Sequence, residues 1–483
     1  MIAPNVLKKI REIVASDHYH DSLEHRIAYS YDGTPLISQL PDAVVLPRSV
    51  EDVSALLKFA NEERFGVVPR GSGSGLSGGS IPGENTIVLV FTGWNRILEI
   101  DRANMTMWVE PGVITSQVHK AAEESGLFYP PDPGSMNICT LGGNVAENAG
   151  GLRGLKYGVT KNYVMGMEVV LPTGDVPFSG GKSMKDVAGY SLKDWLIGSE
   201  GTLGVFTRIL LKLVPPPQEA RTLAAYYNSV GDAAETVSAI IAAHVVPATL
   251  EFLDNTTIRC VEEYANLGLP VTAGAMLLIE VDGRKEEVAE DSIQVREIAE
   301  SHKAKQVLVS KTVLEADRLK AARRSAFAAL ARLRPTTILE DVTVPRSEVA
   351  VMVESIRRSA AKHGLTIGTF GHAGDGNLHP TCLIDERDTD EVSRAENAFE
   401  EIFREAIRLG GTITGEHGVG LAKKKFLPLQ VGNAGIEMMR KIKESLDPND
   451  VLNPGKIIST KPRCEGILPR TRDQIQRFEG AYI

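Results

Sequence analysis

What most restricts the fold of this chain is a single run, Pro69-Arg70-Gly71-Ser72-Gly73-Ser74-Gly75-Leu76-Ser77-Gly78-Gly79, set between two strand-like stretches at 66–69 and 86–91. Gly73, Gly75 and Gly78 fit G-x-G-x-x-G, but that fingerprint works by delivering a pyrophosphate to a helix that begins at once. Here Ser80-Ile81-Pro82-Gly83 and another strand follow, which excludes the Rossmann arrangement. No Gly-Lys-Ser/Thr closes the loop, which excludes a P-loop as well. A flexible turn is the plain reading. The density of glycine and serine, with an arginine and no acid, instead favours a nest of N–H groups suited to a diphosphate. Further clusters at 140–144, 148–151 and 198–205 repeat the theme through the first half, as if backbone were held close to something large and flat.

A second stretch carries chemistry. Gly371-His372-Ala373-Gly374-Asp375-Gly376-Asn377-Leu378-His379 lies between strand-like runs at 365–370 and 378–384, and Gly415-Glu416-His417-Gly418 follows about a helix later. Asp-Gly between two such runs signals a tight hairpin with a type I′ turn. With Asp375-Gly376 as its centre, Gly374 pairs with Asn377, Ala373 with Leu378, and His372 with His379. Directly opposed residues have Cβ atoms roughly 4.5–5.5 Å apart on one face, so two imidazoles converge. The histidine pair alone reads equally well as a polar turn. With Glu416 added it becomes a three-ligand site with open positions, the pattern of a catalytic metal.

Composition narrows the rest. A chain of 483 residues, 43% hydrophobic and 24% charged, has room for about three domain-sized units. A net charge of −9 gives no support to nucleic-acid binding. No apolar run approaches the ~20 residues of a membrane span, and residues 1–20 lack the apolar core of a signal peptide, so a cytoplasmic setting is expected. Cys139, Cys260, Cys382 and Cys464 are scattered, which supports neither a disulfide framework nor an iron–sulfur cluster. Pro215-Pro216-Pro217 marks a boundary, after which helix and strand patterns alternate more regularly; a helix is expected at 436–446, and the tail from Ser459 is polar and irregular.

In combination, PRGSGSGLSGG, PPDPGS, TLGGNVAENAGG, GSEGTLGV, GHAGDGNLH, GEHGVG and LNPGK resemble the FAD-linked oxidase family of the vanillyl-alcohol-oxidase type, in its branch of glycolate oxidase flavoprotein subunits and D-2-hydroxyacid (D-lactate) dehydrogenases. The resemblance covers residues 40–457. It implies an α+β fold in which a two-lobed FAD-binding domain (1–219) is followed by an α/β cap domain with the metal site (220–420). A C-terminal return to the flavin domain (421–457) and an extension (458–483) complete the chain. FAD would meet Arg70, Gly71, Ser72, Gly73, Ser74, Gly75 and Ser77 at its pyrophosphate. Pro131, Asp132, Ser135, Thr140, Gly142, Gly143, Asn148, Gly150, Glu200 and Val205 would line the rest, with Asn453 returning to the isoalloxazine. Members with covalent FAD often carry His in the first glycine loop; Ser72 and Ser74 stand there, which implies non-covalent FAD.

The same resemblance makes His372, His379 and Glu416 ligands of a divalent metal (Zn, Fe or Mn), with Asn377 nearby in the substrate site. Arg323 matches the arginine that pairs with the substrate carboxylate, although by its own surroundings it would read as part of a solvated helix face. His417 matches the base that takes the hydroxyl proton while hydride passes to flavin N5, the metal binding the substrate and stabilising the developing alkoxide. Two departures bear on specificity. Lys320 stands where the family often has Trp. Relatives acting on 2-hydroxyglutarate tend to carry Lys just before the aspartate of Glu340-Asp341-Val342-Thr343-Val344-Pro345, where this chain has Leu339 and Glu340. A small D-2-hydroxy acid, D-lactate or glycolate, is therefore expected. D-2-hydroxyglutarate is the alternative, and a non-redox ether-lipid synthase lies further off because no long apolar site stands out. Without cluster-binding cysteines, electrons are expected to leave to a partner, an iron–sulfur subunit or an electron-transfer flavoprotein, which could also hold the chain at a membrane. Homo-oligomerisation stays open.

Overall fold

The structure is a computed structural model that describes residues 1–459; the expected extension falls, from residue 460, outside them. Ala43–Val45, Thr86–Val90 and Gly66–Arg70 form a parallel sheet in that order, with Tyr19–His20 antiparallel at one edge. Thr86–Val90 is buried at every position, as a central strand covered on both faces must be. The helix Val50–Glu63 joins two of these strands. It starts where the Ser49 hydroxyl accepts from the Asp52 amide at 3.3 Å. Val53, Leu56, Leu57 and Ala60 recur at helical spacing and are its buried face. No helix follows Gly66–Arg70: residues 71–85 carry the glycine loop directly back to Thr86–Val90, in keeping with the exclusion of a Rossmann arrangement.

The outer edge of Gly66–Arg70 is covered by the far end of the chain. Val67 bridges Leu452 in parallel, donating to Val451 O at 2.7 Å and accepting from Asn453 N at 2.8 Å. The preceding helix is longer than its sequence pattern indicates, Leu427–Leu446 rather than 436–446, because Pro428 opens it and the break at Gly432 (φ 66°) hides its first turns. Near its end Lys443 is buried, donating to Thr202 O, Leu452 O and Asp447 Oδ2 at 2.9, 2.7 and 2.6 Å. A second sheet, antiparallel, has the order Ile97–Asp101, Thr106–Val109, Val205–Lys212, Val164–Val170, Phe178–Gly180.

The third sheet has eight strands, all paired antiparallel: Gln306–Val309, Glu219–Tyr227, Ala275–Gly283, Thr249–Asp254, Thr366–His372, Asn377–Ile384 and Thr336–Leu339, with Val342–Thr343 also on Asn377–Ile384. Its central hairpin corrects the expected register. His372 pairs with Asn377, and Phe370 with His379, around a four-residue turn. Gly376 takes φ 85° whereas Asp375 stays out of the left-handed region, because its carboxylate accepts from the Asn377 amide at 3.1 Å, a local turn that competes with type I′. His372 and His379 are thus diagonal neighbours rather than opposed. Period-two alternation still puts both on the face that carries Phe370 and Asn377, and their rings lie 5.2 Å apart at 90°.

Gly376 cannot carry a side chain here: a Cβ would sit 2.0 Å from Val344 O, on a backbone already at positive φ. Gly376→Ala is expected to destabilise the protein by roughly 1–3 kcal/mol. Urea denaturation checks this, and an unchanged midpoint would contradict it.

Candidate active site

Between the glycine-loop lobe and the eight-stranded sheet lies a cavity of about 1120 Å³. One wall is backbone-rich: Arg70 to Gly75, Asp132, Ser135, Thr140, Gly142, Gly143, Gly150, Glu200 and Val205. At its tightest points a side chain would have to displace a neighbour. A Cβ on Gly71 would meet Thr140 Oγ1 at 2.1 Å, and one on Gly150 would meet Glu416 Oε1 at 2.5 Å. Gly75 instead faces open space. A long, glycine-lined trough with serine hydroxyls and backbone N–H groups fits an extended cofactor bearing a diphosphate. Ser77, Pro131, Asn148 and Asn453, expected from the sequence in the same group, do not reach this wall.

Those four and two wall residues have structural duties. Ser77 O receives the Leu421 and Ala422 amides at 2.8 and 3.0 Å. Pro131 O receives His119 Nε2 at 2.7 Å. Asn148 Oδ1 receives the Lys161 amide at 2.9 Å, and Asn453 Nδ2 donates to Gly79 O and Glu200 O at 2.8 and 2.7 Å. The Arg70 guanidinium is buried beneath the glycine loop, donating to Tyr31 O at 2.6 Å and lying over the Tyr29 ring. Glu200 spends its carboxylate on the Val419 and Gly420 amides at 2.7 and 2.6 Å, so it ties down the loop that carries His417. Beside it, burial and the Glu200 charge push the Glu147 carboxyl well above the usual range.

The opposite wall gathers Arg323, His372, His379, Glu416 and His417. His372, His379 and Glu416 each offer a ligand atom, and these atoms lie within 4.8 Å of one another. His372 Nε2 is 3.2 Å from Glu416 Oε1, while its Nδ1 is 2.6 Å from Glu251 Oε1. Burial alone would raise the Glu416 carboxyl, but the His372 imidazolium and its hydrogen bond bring it down to about 2. Burial and the neighbouring His372 charge hold His379 well below the ordinary histidine range, in the neutral form that ligates. Among the described residues His379 Nδ1 is buried without a hydrogen-bond partner, a cost of roughly 1–3 kcal/mol that a bound group would relieve. A neutral His379, a His372 held charged by Glu251 and Glu416 whose Nε2 proton would give way to an ion, and an ionised Glu416 around one point fit a divalent ion. Asn377, by contrast, does not line the cavity; it packs on Gly415 with both its amide atoms unpartnered among the described residues.

His417 stacks on His379, ring centroids 5.2 Å apart and 12° from parallel. Its Nδ1 lies 3.4 Å from Asp341 Oδ1. Asp341 is fully buried and accepts from Thr414 Oγ1, Gly415 N and Glu416 N at 2.9, 2.6 and 2.8 Å, so a single carboxylate shapes the whole Gly-Glu-His turn. Burial alone would raise its pKa, but the buried Lys423 ammonium bonded to it, with His417 nearby, holds it far below the usual range.

Three contributors escape the sequence reading. Glu251 had a signal: it is a lone acid in the apolar run Thr249-Leu250-Glu251-Phe252-Leu253 and is fully buried. Lys423 had none, because Lys423-Lys424-Lys425 reads as a solvated basic patch. Arg324, beside Arg323, also lines the cavity and has no partner among the described residues.

Comparison with known proteins shows the family. The family "FAD linked oxidases, C-terminal domain" matches residues 216–457, and "FAD binding domain" matches residues 41–177. Over 470 residues the chain is 52% identical to glycolate oxidase subunit GlcD of Bacillus subtilis, covering 97% of this chain and 100% of that protein. It is 38% identical to the Escherichia coli K12 protein of the same name over 95% and 92% of the two chains. To a D-lactate dehydrogenase of Anaerostipes hadrus it is 35% identical over 94% and 98%. Among solved structures, 4-ethylphenol oxidase from Gulosibacter chungangensis superposes with a TM-score of 0.79 at 20% identity, covering 95% of this chain and 98% of that one. p-Cresol methylhydroxylase superposes with a TM-score of 0.79 at 18% identity, over 94% and 96%.

Proposed function

The chain belongs to the FAD-linked oxidases, with the two-lobed fold of the vanillyl-alcohol-oxidase type, and on that footing we propose that it oxidises a small D-2-hydroxy acid, D-lactate or glycolate, to the 2-oxo acid. The observation that carries this reading is one cavity wall: three ligand-type side chains within 4.8 Å, His417 stacked against one of them, and Arg323 alongside. When bound, FAD supplies the two-electron acceptor, and a divalent ion held by His372, His379 and Glu416 supplies Lewis-acid polarisation of the substrate oxygens.

The chain's own residues do the rest. Arg323 receives the substrate carboxylate bidentately. His417 takes the hydroxyl proton, and the imidazolium so formed is stabilised by the buried Asp341 carboxylate 3.4 Å from its Nδ1. Lys423 keeps Asp341 ionised throughout. The glycine-rich wall forms the far side, and water displaced from there by bound FAD would strengthen each of these charge interactions. Ser72 and Ser74 in the glycine loop support non-covalent FAD, which acid denaturation would release. Residues 1–219 would bind the flavin, 220–420 form the cap, and 421–457 return to the flavin lobe.

Arg324 favours keeping a second substrate in view. It is the free cation on the substrate wall among the described residues, where a distal carboxylate would otherwise lack a partner, so D-2-hydroxyglutarate belongs in the screen. The test is anaerobic titration of the FAD-loaded protein with D-lactate, L-lactate, glycolate and D-2-hydroxyglutarate, with and without chelator. Bleaching of the flavin by D-lactate or glycolate, slowed by at least tenfold after chelation, is expected. Failure of every 2-hydroxy acid to bleach it would end the proposal.

The exit of electrons is part of the same proposal. Cys139, Cys260 and Cys382 are buried and separate, so no cluster site forms among the described residues. An iron–sulfur subunit or electron-transfer flavoprotein is the acceptor this favours, in a cytoplasmic setting. No described helix is long and apolar enough to cross a membrane, so any attachment there would run through the partner. Rapid turnover of the isolated chain with dioxygen as sole acceptor would argue against it.

A further inference from the structure

Glu251 lies on the strand Thr249–Asp254, whose neighbour Thr366–His372 pairs Phe252 with Gly371. That register sets Glu251 beside His372 on the face that meets the cavity wall. The Glu251 side chain is fully buried, and both its oxygens are used. Oε1 is 2.6 Å from His372 Nδ1, and Oε2 accepts from Arg323 Nε at 2.5 Å. The Phe370 ring supports the same guanidinium, with Arg323 Cζ 4.7 Å from its centroid.

A carboxylate this deep in a sheet is stable only if paired, and Arg323 neutralises it. The bond to His372 Nδ1 assigns that nitrogen as a donor and leaves Nε2 directed at Glu416, 3.2 Å away. The bond to Arg323 Nε uses one of five donors. The remaining four have no acceptor among the described residues, and the side chain lines the cavity.

The geometry points to Glu251 as a positioning residue that spans two binding functions, orienting His372 for a divalent ion and Arg323 for the substrate carboxylate. The inference deepens the proposed function and rests on its reading of His372 and Arg323. A carboxylate serving His372 alone would tune only the metal. Because the two oxygens of one rigid group are divided between the two sites, disturbing Glu251 disturbs both. Gln at this position fills nearly the same space but carries no charge, so neither His372 nor Arg323 keeps a charged acceptor.

The experiment compares wild type with Glu251→Gln in the full, FAD-loaded chain. Binding of Zn²⁺ and of Mn²⁺ is measured by competition with a chromophoric chelator. Binding of pyruvate is measured separately in chelator-treated protein, by perturbation of the flavin absorbance. Both affinities are expected to fall, metal by roughly 10–100-fold and pyruvate by at least several-fold, with FAD content unchanged. Loss of only one affinity, or of neither, would overturn the span. Glu251→Asp keeps the charge but is one methylene too short to reach both partners, and it carries the test if the glutamine variant does not fold. Retention of both affinities by Glu251→Asp would be equally fatal. A wild-type protein that binds no divalent ion would instead remove the metal reading itself, a failure seen before any variant is measured.

Discussion

Replacing His417 by asparagine is expected to slow flavin reduction by the 2-hydroxy acid by about 10²–10⁴-fold, the usual worth of a positioned general base, while FAD and metal contents stay at wild-type levels. The reasoning is local. His417 stands 3.4 Å from the buried Asp341 carboxylate and stacks on His379, so its ring is fixed from two sides. Asparagine retains a polar side chain on the same turn, whose shape is set by the Asp341 bonds to the backbone of Gly415 and Glu416 rather than by the imidazole. The loss should therefore fall on the rate of the reductive half-reaction and not on substrate affinity. Anaerobic stopped-flow measurement separates the two, and a near-normal rate would take His417 out of the base role.

The largest effect on stability is expected from Lys423→Met. The Lys423 ammonium is fully buried, bonded to Asp341 Oδ1, 3.1 Å from Asp341 O and 3.2 Å from Glu340 Oε2, with the Phe403 ring beneath it. Removing the cation leaves two adjacent buried carboxyl groups with a single set of N–H donors. Breaking a buried pair from one side costs about 3–5 kcal/mol. The variant should unfold at clearly lower denaturant and lose 2-hydroxyacid oxidation, because the Asp341 bonds that shape the Glu416-His417 turn weaken together. Adding Asp341→Asn to the variant should recover part of the stability and none of the activity, since the pair is coupled. A midpoint for Lys423→Met equal to the wild type would show that the ammonium is not required there.

What the residue string reveals here is whatever chemistry is done by near neighbours. His372, His379, Glu416 and His417 are legible because glycines bracket them and because two strands joined by a short turn must bring i and j±2 together on one face, whichever register wins. The register itself misleads, since Asp375 can satisfy the Asn377 amide from its side chain and so has no need of the positive φ that a two-residue turn demands. Arg70 shows a different limit. Its type and place suggest a diphosphate ligand, but the guanidinium turns inward to Tyr31 O, a partner supplied by a segment that no local pattern links to it. Glu251 and Lys423 fail for the same reason: each acquires its role only when segments distant in sequence are laid side by side. The resemblance to a known family compensates where spacing cannot, above all for Arg323, whose own helix reads as solvated.

The closure of the Gly66–Arg70 edge by Leu452 has a consequence for biogenesis. A ribosome delivers Val67 long before it delivers Leu452, so throughout most of synthesis the nascent parallel sheet presents bare amides and carbonyls along one side, a template for unwanted strand addition. Completion of the cofactor lobe in this sense waits for Leu452. The yield of active protein in a host should depend on chaperone capacity far more than the stability of the finished molecule would suggest.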